Sequence, residues 1–105
     1  MEIIEKRLYF CDLIRLYGEL LSSTQKEILI DHFQFDLSIS EIAENRGISR
    51  AAVEDAIKKG AKKLNEYEDK LRFYNKEKKI LEKTEILKEK FGNCSEIEEI
   101  EEEIK

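Results

Sequence analysis

The side chains that could do chemistry in this chain of 105 residues are few in kind. It has one histidine, His32, and two cysteines, Cys11 and Cys94. No His, Cys, Asp or Glu grouping has metal-ligand spacing. No Ser/His/Asp or Cys/His set offers a nucleophile, and no glycine-rich loop is present to cradle a phosphate. The pattern points to a protein that is not an enzyme, with no metal and no cofactor. What remains is recognition by charged hydrogen-bonding groups, and these gather in Ser49–Leu64, SRAAVEDAIKKGAKKL. Read as a helix with Val53, Ile57 and Leu64 inward, this stretch turns Ala51, Asp55, Lys58 and Lys62 outward, with Arg50, Glu54 and Lys59 on the flanks. A guanidinium at Arg50 suits a guanine edge or a phosphate. The lysines suit a phosphodiester backbone. Glu54 can accept from a cytosine amino group but repels phosphate. Ser49, Arg50, Ala51, Glu54, Lys58, Lys59 and Lys62 are therefore the candidate nucleic-acid-binding residues.

The elements that must position them begin earlier, at Ser38. Ser38 and Glu41 have capping-box spacing for a helix over about Ile39 to Arg46. Gly47 follows where a left-handed residue is wanted, and Ser49 suits the N-cap of a second helix. Ile42, Ala43, Ile48, Val53, Ala56 and Ile57 are the expected inward residues. A glycine-containing turn between two capped helices is the spacing of a helix-turn-helix, whose second helix enters the major groove by its N-terminal part.

The remainder of the chain reads as helix too. Phe10, Leu13, Ile14, Tyr17, Leu20 and Leu21 recur at helical spacing over residues 3–21. Ile4, Leu8, Cys11 and Leu16 widen that stripe, so this helix wants two partners. One is the helix-turn-helix core. The other is a second subunit or the long C-terminal helix of the same chain. Thr24 with Glu27 predicts a capped helix to about Phe35, with Ile28, Leu29 and Phe33 inward and His32 at the boundary. From Arg50 the periodicity runs for about forty residues, with a break expected near Asn65 to Asp69, where Asn and Asp favour caps. Gly92-Asn93 stops it. Residues 93–105 are expected to be a frayed acidic tail rather than a short helix, because isolated short helices are marginal in water. The expected organisation is residues 1–72 as the helix-turn-helix domain with its N-terminal helix, 73–92 as a charged helical extension and 93–105 as the tail.

The chain carries 24 acidic and 19 basic groups, a net charge of −5. Counted by segment, that whole deficit lies in residues 91–105, and the remainder is neutral. A broad positive field of the sort strong nucleic-acid binders carry is absent. No apolar run approaches a membrane span, and the N-terminus lacks the pattern of a signal peptide. A cytoplasmic location with reduced cysteines is expected.

One series of residues runs through Tyr17-Gly18-Glu19-Leu20-Leu21, Gln25-Lys26-Glu27 and Asp36-Leu37-Ser38. It continues through Glu41-Ile42-Ala43-Glu44-Asn45, Ile48-Ser49-Arg50 and Ala52-Val53, then Tyr67-Glu68 with Lys70-Leu71. With these, residues 8–72 resemble region 4 of bacterial sigma factors, and more specifically the YlxM family of small bacterial helix-turn-helix proteins. Ala51 and Glu54 depart from the polar and aromatic residues usual early in the second helix. The resemblance implies a regulatory protein linked to the signal recognition particle (SRP) pathway, with the SRP GTPase or SRP RNA as partners. The expected fold is all-α: a sigma-region-4-like helix-turn-helix with an added N-terminal helix and a long charged C-terminal helix. DNA binding is the leading expectation. The alternative is a protein- or RNA-binding accessory factor that does not read DNA. A homodimer through the N- and C-terminal helices is one reading of the wide apolar face of residues 3–21, and cover by the C-terminal helix of the same chain is the other.

Overall fold

The computed structural model describes residues 2–104, and among them all regular structure is helical. The chain divides into two compact units, one ending at Leu71 and one starting at Arg72.

The first unit contains α1 (Ile3–Tyr17), a 3-10 turn (Gly18–Leu20), α2 (Ser23–Leu29), a π turn (Ile30–Gln34), α3 (Ile39–Arg46) and α4 (Arg50–Leu71). Its core follows the apolar spacing: Leu13, Ile14 and Tyr17 from α1, Ile28 and Leu29 from α2, Ile42 from α3, and Val53 and Leu64 from α4 are buried. The N-cap of α2 is Ser22, whose hydroxyl accepts from the Gln25 amide at 3.2 Å. Thr24, expected to cap, is the second residue of the helix, two positions past the cap. The π turn is held from both sides. Arg7 donates to the carbonyls of Phe33 (2.7 Å) and Gln34 (3.0 Å), oxygens that a helix end leaves without internal donors. Arg46 reaches back from α3 to Asp31 at 2.8 Å and Glu27 at 3.0 Å. Cys11, a free thiol like Cys94, donates to the Phe33 carbonyl, and burial pushes its pKa up.

α4 is one unbroken helix of 22 residues. The break expected near Asn65 to Asp69 falls instead at Arg72, a non-glycine residue at φ 60°. The reason is tertiary. Glu68 is buried and accepts the Tyr17 hydroxyl at 2.7 Å, and Tyr67 packs beside the Tyr17 ring, so α1 holds this part of α4 helical. Gly60 is equally placed by packing: a Cβ there would lie 2.6 Å from Leu29 Cδ1, so any larger residue requires the Leu29 side chain to shift where α2 and α4 meet.

The second unit is a hairpin of α5 (Phe73–Phe91) and α6 (Ser95–Ile104). Residues expected to fray are thus helical. Ile97 and Glu101 are buried, and the Glu101 carboxylate accepts from the Thr84 hydroxyl at 2.9 Å and from the Lys88 ammonium. Packing on α5 supplies what a ten-residue helix lacks alone. On α1, Ile3, Ile4 and Leu8 remain exposed, so the wide apolar face predicted there is only partly covered.

Candidate nucleic-acid interface

The presentation of α4 starts from α3. Ser38 accepts the Glu41 amide at 3.1 Å while Glu41 accepts the Ser38 amide at 3.1 Å, completing the capping box. These bonds hold the Glu41 carboxyl below the ordinary carboxylate range. Gly47 takes φ 65°, and the Ile48 and Gly47 amides close back on the carbonyls of Ala43 and Glu44, a Schellman closure. Ser49 then accepts the Ala52 amide at 3.0 Å and opens α4. Ile42, Ala43 and Val53 form the core between the helices, joined by Ile28, with Ala56 and Ile57 partly buried against it. Ile48, expected inside, is 39% exposed. It sits in the turn itself, where the left-handed Gly47 has already redirected the chain.

All seven candidate residues, Ser49, Arg50, Ala51, Glu54, Lys58, Lys59 and Lys62, lie on the exposed surface of α4 or its cap. They do not form one uniform patch. Ser49–Leu64 carries five basic and two acidic groups, and both acids, Glu54 and Asp55, lie ahead of the lysines. Asp55 pairs with Lys59 at 3.1 Å across one turn, a surface contact of small energetic weight. The cationic surface is therefore centred on Lys58 and Lys62, roughly two to three turns into the helix.

Sequence reasoning missed what stands beside those two lysines. Lys6 and Arg7 of α1 border the same groove, with Phe10 and Ile57 beneath them. The separation of residues 6 and 7 from 58 and 62 hid this. The only signal was that Phe10 and Ile57 both belong to inward stripes. Among the described residues, no cluster of three or more His, Cys, Asp or Glu side chains could hold a metal ion. No described helix is long and apolar enough to cross a membrane.

A capped α3, a left-handed glycine turn and an exposed, lysine-bearing α4 define a helix-turn-helix protein. The chain belongs to the UPF0122 family, whose model, described as "Putative helix-turn-helix protein, YlxM / p13 like", matches residues 4–104. It is 47% identical over 89 residues to a UPF0122 protein of Fusobacterium nucleatum, covering 85% of this chain and 86% of that one. A UPF0122 protein of Clostridium acetobutylicum is 37% identical over 111 aligned residues, with 96% of each chain covered. One from Malacoplasma penetrans is 49% identical over 61 residues, 58% of this chain and 57% of that one.

Proposed function

We propose that this protein is a regulatory nucleic-acid-binding protein that acts in the cytoplasm and grips duplex DNA through α4. The observation that carries the reading is the exposure of Lys58, Lys59 and Lys62 on a helix projected by a fully capped helix-turn-helix. The lysines neutralise phosphates, and Arg50, in the first turn of α4, reaches for a base edge or a flanking phosphate. Binding to mixed genomic duplex fragments across a salt series tests this. Affinity is expected to fall as salt rises, and each of Lys58→Ala and Lys62→Ala should lower the logarithmic salt slope by about 0.9, the value for one phosphate contact on B-form DNA. Arg50→Ala should weaken binding as well. A flat salt response with no loss on substitution overturns the reading.

A second reading has its own observation. Glu54 and Asp55 are exposed in the first turns of α4, where a DNA reader meets base edges and phosphates. Their charge suits a basic protein surface better than a nucleic-acid backbone. With the family resemblance, this favours an accessory factor of the SRP GTPase; SRP RNA enters through the resemblance alone. Pull-downs with each component are expected to enrich the protein over an unrelated acidic helical control. Equal recovery of the two sinks this second reading.

A further inference from the structure

The groove beside Lys58 and Lys62 offers more than backbone contacts. It has a volume of about 640 Å³ and runs between α1, the π turn and α4. Phe10, Ile57 and Ala61 contribute an apolar floor, while Lys6, Lys58 and Lys62 stand at its rim. The three lysines are exposed. An apolar floor ringed by ammonium groups suits an apolar side chain flanked by carboxylates on a rigid element.

This chain carries such an element. In α6, Ile97 and Glu101 are spent on the hairpin. At 100° per residue Glu96, Glu99, Ile100 and Glu103 share a different face, roughly 120° further round. All four are exposed, Ile100 at 43%.

We propose that this face of α6 from a second copy docks in the groove, with Ile100 over the floor and Glu96, Glu99 and Glu103 against Lys6, Lys58 and Lys62. Charge complementarity carries the choice of occupant. The net charge of −5 resides wholly in residues 91–105, and among the described residues the only acid lining the groove is Asp36. A docked α6 covers Lys58 and Lys62, so self-association and nucleic acid compete for one surface. That competition rests on the function proposed above, whereas the docking itself does not.

Sedimentation of the full-length chain at about 50 mM and about 500 mM salt tests it, since added salt screens exposed charges. The parent should associate at low salt and dissociate at high salt. Glu99→Gln with Glu103→Gln should remain monomeric, as should Lys58→Gln with Lys62→Gln. Glu99→Lys with Glu103→Lys, mixed with a chain bearing Lys58→Glu and Lys62→Glu, should associate although neither does alone. All substitutions are on exposed positions, and circular dichroism checks that helix content is kept. A parent that is monomeric at low salt overturns the docking. So does association that ignores salt and both charge pairs, which assigns self-contact to the apolar face of Ile4 and Leu8. Lysine substitutions that weaken DNA binding without changing mass assign the groove to nucleic acid alone and also overturn it. Association as expected without any nucleic-acid affinity upholds the docking and removes only the function proposed above.

Discussion

At the scale of single residues, two positions on α4 decide how the first unit closes. Glu68 is 4% exposed, and its carboxylate takes the Tyr17 hydroxyl deep in the core. A buried acceptor that loses a donor costs roughly 1–3 kcal/mol. Tyr17→Phe is therefore expected to lower the melting temperature by several degrees, as followed by circular dichroism. Gly60→Ala sets two effects against each other. Alanine is favoured in a helix interior by about 1 kcal/mol over glycine. The added methyl, however, meets a fully buried Leu29, and overpacking costs about 1–3 kcal/mol. The clash wins, and the urea midpoint of Gly60→Ala should fall rather than rise. Neither position stood out in the sequence. Gly60 and Glu68 flank the inward Leu64 at a spacing of four, but Glu68 falls in the stretch where a helix break is expected, and Gly60 carries no side chain to mark a face. What spacing cannot supply is the partner's identity, since Leu29 and Tyr17 lie on other helices.

At the scale of elements, local chemistry was legible and tertiary override was not. Ser38, Glu41, Gly47 and Ser49 act on neighbours within a few residues, and each takes the part its type and spacing predicted. The end of α4 and the order of α6 depend on distant groups. Tyr17 keeps α4 helical past Asn65, and Thr84 and Lys88 order an acidic segment that would fray alone. The cap of α3 carries a pH dependence whose sign is fixed. The Glu41 pKa is lowered in the folded state from an ordinary 4.5. Its stabilising contribution is thus complete above that value and is lost as pH falls through the depressed folded value. The protection of the Ser38 amide, measured by NMR on an acid titration and corrected for the intrinsic pH dependence of exchange, should fall in that window, and Glu41→Ala should show that loss of protection at neutral pH already.

At the scale of the whole molecule, the all-α class and the helix-turn-helix were readable because helical periodicity and caps repeat throughout the chain. The groove beside Lys58 was not, because it joins side chains more than fifty positions apart. The distribution of charge was readable as well: residues 49–64 carry five basic and two acidic groups within residues 1–90, which are neutral in sum. On the function proposed for α4, duplex binding should weaken as salt rises.

The junction at Arg72 has a consequence for how this chain can be cut. It is a single non-helical residue between two long helices. Proteases nick native proteins at exposed loop tips of small and polar residues, and no such loop exists there. Gly92, Asn93 and Cys94 form one between α5 and α6, and all three are exposed. Limited digestion of the native chain is therefore expected to cut at Gly92–Cys94, or at the equally exposed Gly47–Ser49 turn, rather than at Arg72, so α4 and α5 stay joined.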